Sequence, residues 1–371
     1  MALHGRWHRG GSSRGETMTA VWILGATGRT GSVIATNLAA AGVGLVLVGR
    51  DGPALQHLAD KIGGNPRVLA TASLEKIKTE LDGAGPTVVV NLIGPFAETA
   101  LPFIKACAPG SGYLDLSNDR AATAAILDLD QKARTTGRCL VSGAGWGVLA
   151  AESTVLMLCK DRPPAARVRV DLAPFINASG RIGETFAATL VEAMAVGAQI
   201  YEDGRLTRAR IGDRSETLIA PDGSKIRTGV VSSGDLEAAR RASGAAFAVA
   251  ASTLAPSSGG ARAAMSAIVF LLGFRSAREV AKRLLANVVA PPAKGAPKSS
   301  WAHARVEWAD GTMRETWLRA GEGMAFTCKV ATEVALRLSR GEGRPGAFTP
   351  AALFGPELAE AAGAKFIGER R

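Results

Sequence analysis

A doubly wound α/β domain followed by a second, mixed α+β domain is the fold class this sequence predicts. Three observations carry it. Apolar runs of strand type alternate with helical stretches from Val21 to Ser142. The first of these runs ends in a glycine-rich turn that opens directly into a helix. The rhythm then breaks at Gly143-Ala-Gly-Trp-Gly147, beyond which strands and helices follow a looser order. Alternation of this kind lays parallel strands side by side with helices on both faces. With 371 residues the chain is too long for one ordinary core and suits two domains.

The elements follow in order. Val21-Trp-Ile-Leu24 reads as the first strand, and the helix that follows its turn runs from Ser32 to Ala41. Val43–Val48 is apolar throughout, as a parallel strand buried on both faces should be. Pro53–Lys61 is a helix with Asp51 or Gly52 near its cap. Arg67–Thr71 is a short strand, and Ser73 is placed to cap the helix that runs to Leu81. Thr87–Leu92 is a fourth strand, stopped by Gly94-Pro95, and Glu98–Ala108 a helix. Tyr113–Leu116, Arg120–Thr136 and Arg138–Ser142 complete the rhythm as strand, helix and strand. Beyond the break we expect a helix near Ala150–Lys160, a strand at Arg167–Phe175, a helix at Glu184–Val196 and hairpins between Arg208 and Ser232. A short helix at Asp235–Ser243 and one long helix at Ala261–Ala286 follow. Asp310-Gly311 between two alternating runs signals a hairpin, and Met324–Ser339 a helix. The domains therefore read as 1–17, a disordered tail; 18–147, the doubly wound domain; 148–330, the mixed domain; and 331–371, helices that pack back on the first domain.

Composition removes several functions. The net charge is +11, but the basic residues are scattered and aromatics make up 5%, so no stacking platform for nucleic acid is expected. The four cysteines have no metal-ligand spacing, which predicts free thiols in a reducing, cytoplasmic setting and no metal. Residues 1–17 lack the apolar centre of a signal peptide. Ala263–Phe274 is the longest apolar stretch and too short to span a bilayer; it is expected to be a buried helix rather than a membrane contact.

The glycine turn carries the chemistry. In Gly25-Ala-Thr27-Gly28-Arg29-Thr30-Gly31, Gly25 permits the tight turn, Gly28 lets the backbone approach a pyrophosphate, and Gly31 lets helix and strand pack closely. The first amides of the helix would bind phosphate oxygens. This makes the first domain Rossmann-type. Arg50 stands after the second strand, where a carboxylate would receive a ribose 2′-hydroxyl; with Arg29 it favours a 2′-phosphate, hence NADP over NAD. Asn91, Gly94, Pro95 and Phe96 lie at the carboxyl end of the fourth strand, where such sheets bind ligands; Asn91, Gly94 and Pro95 would face the cofactor and Phe96 the substrate. Tyr113, Asp115 and Asn118 cluster at the end of the fifth strand as candidates to donate or relay a proton, with scaffolding as the other reading. Trp146, at the domain junction, could stack on a small-molecule substrate or on the nicotinamide, or serve as a packing hinge.

These residues resemble the saccharopine dehydrogenase-like oxidoreductases, a group that includes trans-acting enoyl reductases. The likeness rests on Ile23-Leu-Gly-Ala-Thr-Gly-Arg-Thr-Gly31, Val48-Gly-Arg-Asp51, Val90-Asn-Leu-Ile-Gly-Pro-Phe96, Ala106-Cys-Ala108 with Gly112-Tyr-Leu-Asp115, Ser233-Gly-Asp-Leu236, the run from Trp301 through Leu338, and Pro345-Gly-Ala-Phe-Thr-Pro350. It implies NADPH-dependent reduction of a C=N, C=C or C=O bond. The chain departs from the family's pattern at Ser117-Asn118-Asp119 and at Gly145-Trp146-Gly147, both where substrate should sit. A non-catalytic NADP sensor and a scaffold or membrane-associated protein are the rival classes, and a homodimer, if formed, would use the second domain.

Overall fold

The computed structural model of the protein describes residues 20–177, 180–181, 184–256, 259–290 and 299–370. The tail expected to be disordered lies outside the described residues. Six strands and their helices follow one another as expected: β1 (Val21–Leu24), α1 (Arg29–Ala40), β2 (Leu45–Gly49), α2 (Gly52–Ile62), β3 (Arg67–Ala70), α3 (Leu74–Ala84), β4 (Val88–Asn91), α4 (Phe96–Ala106), β5 (Gly112–Asp115), α5 (Arg120–Leu127), α6 (Asp130–Thr135) and β6 (Cys139–Val141). Asp51 caps α2 by accepting from the Ala54 amide at 2.9 Å, and Ser73 caps α3 through Lys76 N. The helix expected over Arg120–Thr136 is instead two, α5 and α6. Asp130 opens the second and accepts from Ala347 N at 3.0 Å, so the break aims α6 at a distant segment of chain.

The second half begins with α7 (Trp146–Cys159) and continues through β7 (Arg167–Ala173), β8 (Gly180–Arg181), α8 (Glu184–Val196), β9 (Ala198–Glu202), β10 (Arg205–Ala209), β11 (Glu216–Ile219), β12 (Lys225–Val230), α9 (Gly234–Ser243) and β13 (Phe247–Ser252). Two helices, α10 (Gly259–Leu272) and α11 (Arg275–Ala286), replace the single helix expected over Ala261–Ala286. Gly273 and Phe274 end the first in tight turns onto the carbonyls of Phe270 and Leu271. Then come β14 (Val289–Ala290), β15 (Ser300–Glu307), β16 (Met313–Ala320), α12 (Gly323–Ser339), β17 (Gly346–Phe348), α13 (Pro350–Phe354), α14 (Glu357–Ala361) and β18 (Lys365–Arg370). The Asp310-Gly311 turn joins β15 to β16, with Gly311 at φ +80°.

The first sheet has the order β17-β6-β5-β4-β1-β2-β3, parallel throughout. The second is mixed and runs β10-β9-β13-β7-β15-β16-β18, with β12 and β11 paired off β13. The tail does more than pack back as helices. β17 extends the first sheet beside β6, and β18 closes the edge of the second beside β16. Both are short and depend on partners distant in sequence, so neither has a local signature.

One apolar core runs through both sheets. Its hub is α7, in which Val148, Leu149, Ala150, Ala151 and Val155 are all buried. A helix without a polar face must be enclosed over most of its circumference, and only Met157 of α7 is exposed. Glu152 is its one charged residue. Its carboxylate is buried and accepts from Thr349 Oγ1 and from Ala351 N at 2.9 Å, so it caps the start of α13. Burial pushes this carboxyl up to about 7, against the opposing pull of the donors at Thr349 and Ala351.

An acid raised in this way is protonated more readily in the folded than in the unfolded chain. Its ionisation therefore subtracts stability as pH rises from about 4.5 to about 7. Glu152→Gln keeps an acceptor for the Ala351 amide without the charge. Urea unfolding across pH 4 to 8 should show the variant gaining on the parent as pH rises, by on the order of 3 kcal/mol at the upper end. A difference independent of pH would contradict this account of Glu152.

Candidate functional site

The site is built at the carboxyl edge of the first sheet. At the end of β1, Gly25 adopts φ +88°, a conformation that favours glycine. A Cβ on Gly31 would stand 2.3 Å from the Gly25 carbonyl oxygen and 2.9 Å from that of Ala26. Only glycine lets α1 start this close to the turn. Gly28 is the N-cap of α1; no side chain caps the helix and its first turn holds no acid. Thr27, Gly28 and Arg29 are exposed, Thr30 is half-buried, and Arg50 is exposed at the end of β2. Asp51, which could have repelled an anion there, is engaged in capping α2. An exposed helix N-terminus flanked by two arginines suits a phosphate-bearing ligand.

Under the neighbouring strand ends lies a closed polar network. Asn91 is fully buried: its Nδ2 donates to Tyr113 OH at 3.0 Å and to Thr99 Oγ1 at 3.2 Å, and its Oδ1 accepts from Ile93 N. The Tyr113 hydroxyl donates to Asp115 Oδ2 at 3.1 Å. The other Asp115 oxygen accepts from Ser117 N, Ser142 Oγ and Gly143 N at 3.0 to 3.1 Å. Burial raises the Asp115 carboxyl, although these donors pull it back, and burial together with the Asp115 charge holds Tyr113 well above the usual phenol range. Tyr113 and Asp115 are two residues apart on one strand, so they share a face, and that face is closed by α4 and the core around it. This placement corrects the expectation that Asn91, Tyr113 and Asp115 present side chains to ligands. Their polar atoms are consumed inside the fold. Asp115 ties the end of β5 to the loop after β6.

Asn118 behaves differently. It is exposed, and its amide group lies in a slot between two glycines at helix starts: a Cβ on Gly147 would come 3.2 Å from its Nδ2, and one on Gly234 would come 3.3 Å from its Oδ1. Its carbonyl accepts from Gly234 N at 2.9 Å, joining the first sheet to α9. Beside it sits Asp235, buried at the start of α9, with Oδ2 accepting from Ser233 Oγ at 2.8 Å. Asp235 Oδ1 has no well-aligned hydrogen bond among the described residues. A Cβ on Gly147 would fall 2.5 Å from that oxygen, so glycine at 147 makes room for the acid. Burial pushes the Asp235 carboxyl up to about 6, against the opposing pull of Ser233 and Asn118. Sequence reading singled out Ser233-Gly-Asp-Leu236 only as part of a likeness; an aspartate in a first turn otherwise looks like an ordinary cap.

Trp146 and Phe96 are both nearly buried at the starts of α7 and α4. The Trp146 ring meets Phe326 edge to face at 5.5 Å, and its amide donates to Thr327 Oγ1 at 3.1 Å. Its indole Nε1 is buried without a hydrogen-bond partner among the described residues. Gly94 and Pro95 are half-buried at the end of β4.

Superposed on solved structures, the chain matches the saccharopine dehydrogenase (L-Glu forming) of Saccharomyces cerevisiae with a TM-score of 0.59, at 13% identity, over 94% of this chain and 100% of that one. The chain has the saccharopine dehydrogenase fold. In sequence it is 31% identical over 144 residues to a trans-acting enoyl reductase of Mycobacterium bovis and, at the same identity and length, to a putative trans-acting enoyl reductase of Mycobacterium tuberculosis. Each match covers 37% of this chain and 34% of the relative, so the chain matches about a third of the length of these curated relatives. No family model matches the chain. In this saccharopine dehydrogenase fold, the glycine turn of β1 and the Asn118–Asp235 pair are contributed by the first sheet and by the start of α9, with α7 beginning beside the pair.

The close approach at Gly31 yields a direct test. Gly31→Ala forces a methyl group against two backbone oxygens, and such overpacking typically costs about 1–3 kcal/mol. Urea unfolding should register that loss, and dinucleotide binding, followed by quenching of intrinsic fluorescence, should weaken with it. A variant with parent stability and parent binding would show that the turn tolerates a side chain.

Proposed function

We propose that the chain is an NADPH-dependent reductase acting on a C=N, C=C or C=O bond of a small-molecule or thioester-linked substrate. The observation that carries this reading is the uncapped, exposed start of α1 behind the glycine turn, with Arg29 and Arg50 at its flank. The naming of the sequence relatives as trans-acting enoyl reductases agrees with it. The α1 amides would hold the pyrophosphate and the two arginines a 2′-phosphate. When bound, the reduced nicotinamide supplies a hydride. The four free cysteines fit a reducing, cytoplasmic setting.

The chain's own contribution is to orient the substrate and to hold a proton source. Asn118 is the exposed polar group of the junction, and it presents an amide to the reacting carbonyl or imine or to the water that protonates it. Asp235 acts behind Asn118 as a positioning residue: once ionised, its carboxylate attracts the Asn118 Nδ2 hydrogens and fixes which way the amide faces. Trp146 at the start of α7 and Phe96 at the start of α4 are the aromatic side chains this reading assigns to the substrate.

Two measurements test this. Loss of a charge-assisted phosphate contact should weaken NADPH binding by about 1.5–3 kcal/mol in Arg50→Ala, roughly tenfold to over a hundredfold, while NADH binding changes little. Parent protein that binds NADH as tightly as NADPH would refute the cofactor assignment, and a panel of imines, enoyl thioesters and ketones that never oxidises NADPH would refute the reductase reading.

Asp235→Asn isolates the positioning role. It should leave NADPH affinity intact and slow single-turnover hydride transfer by roughly tenfold to a hundredfold, the scale expected when reacting groups are misaligned. In the parent the rate should fall as pH drops through about 6, where Asp235 becomes protonated, and the variant should lack that step. A variant with the parent's pH profile would remove Asp235 from the reaction.

A further inference from the structure

The helix pair α10–α11 has its apolar side outward. Phe270, Leu271, Phe274, Val280 and Leu284 are each more than half exposed, and none of the residues of α11 is buried. Ala263–Phe274 is apolar enough to predict a buried helix, but Phe270 is 71% exposed. The cause lies in how α11 docks. Arg278 and Lys282 pair with Glu192 of α8 at 3.1 and 2.7 Å, so α11 rests on the domain through charged side chains. Its apolar positions Ala277, Val280, Ala281 and Leu284 recur at helical spacing. With Ile268 and Leu271 of α10 they line an open groove of about 440 Å³. Phe270 and Phe274 meet edge to face at 6.0 Å at the bend between the helices.

Charge discriminates among the occupants such a surface could take. Between 259 and 290 stand five basic residues, Arg262, Arg275, Arg278, Lys282 and Arg283, against a single acid, Glu279. Arg262 turns to the Gly212 carbonyl, and the four remaining cations still outnumber Glu279 and Glu192 together, on a chain whose net charge is +11. A second copy would bring the same cations face to face. An anionic lipid surface would meet them with opposite charge and accept the exposed rings and leucines among its acyl chains. Among the described residues no helix is long and apolar enough to cross a membrane. A pair of helices with an apolar side and basic residues at its rim is the arrangement that lies in the plane of a bilayer interface.

We infer that α10–α11 docks the protein onto anionic membranes, with Phe270, Phe274 and Leu284 entering the interface and Arg275 and Arg283 at the headgroups. This docking is independent of the reductase reading, since it uses none of the residues of the candidate site.

Flotation of the full chain with vesicles tests it. The parent should float with vesicles of equal parts phosphatidylglycerol and phosphatidylcholine, weakly or not at all with phosphatidylcholine alone, and less well as salt is raised. Phe270→Ser with Phe274→Ser, and separately Leu284→Glu, should lower partition into the anionic vesicles by about tenfold or more for each large side chain removed. These positions are exposed, so thermal unfolding and NADPH affinity should match the parent and show that the fold is intact. Failure of the parent to float with anionic vesicles would overturn the inference, as would flotation indifferent to the substitutions. A concentration-dependent dimer of the parent, dispersed by the same substitutions and without flotation, would assign the surface to a second copy and overturn it equally.

Discussion

The enclosure of α7 is the constraint on which the rest of this structure depends. A fourteen-residue helix with no polar face cannot lie on a surface, so both sheets and the returning C-terminal segment are drawn over it. The core is continuous from Val21 and Ile23 of the first sheet, through Leu149 and Val155, to Ala302 and Leu318 of the second. The same helix starts at the candidate site. Gly145, Trp146 and Gly147 form its first turn, so packing that fixes the helix also fixes where Thr327, Asn118 and Asp235 can stand. Domain organisation and site geometry are here one problem with one solution.

Buried carboxylates act as clasps around this core. Asp115 gathers two backbone amides and the Ser142 hydroxyl at the end of β5, and also accepts from Tyr113. Glu152 gathers the start of α13, bringing the tail against α7. Each desolvated acid costs free energy and recovers it only where its donors are in place, so each favours one arrangement of distant segments over near alternatives. Asp235 is the member of the set whose second oxygen has no well-aligned donor among the described residues, and it lies beside the exposed Asn118.

The second domain divides into a packed sheet and a looser outer layer. Its central strands, β7, β13 and β15, bury most of their side chains. By contrast α11 contacts α8 through ion pairs and turns Val280 and Leu284 to the outside. Exposed apolar surface of this extent is uncommon on a protein that meets only water. The first sheet's carboxyl edge and the outer helical layer therefore present different surfaces: one carries an exposed helix N-terminus beside arginines, the other exposed apolar side chains.

What the sequence by itself determined was local. Strands β1 to β6, the Asp51 and Ser73 caps, the Gly25 and Gly31 turn and the Asp310-Gly311 hairpin all follow from short-range physics: strand patterning, side-chain capping, and the left-handed φ that favours glycine at 25 and 311. Tertiary structure decided what pairs across long separations. Asn91, Tyr113 and Asp115 read as polar groups at strand ends, yet their strand face is closed by α4 and its core, which no local pattern reveals. Strands β17 and β18 exist because β6 and β16 offer open edges. Asn118 meets Asp235 because glycines at 147 and 234 let α7 and α9 start close together. In α11 the hydrophobic period was legible in the sequence, but not which side would face the protein; that was settled by Glu192, more than eighty positions away from Arg278. Periodicity specifies that a face exists, and only the partner it packs against specifies where that face points.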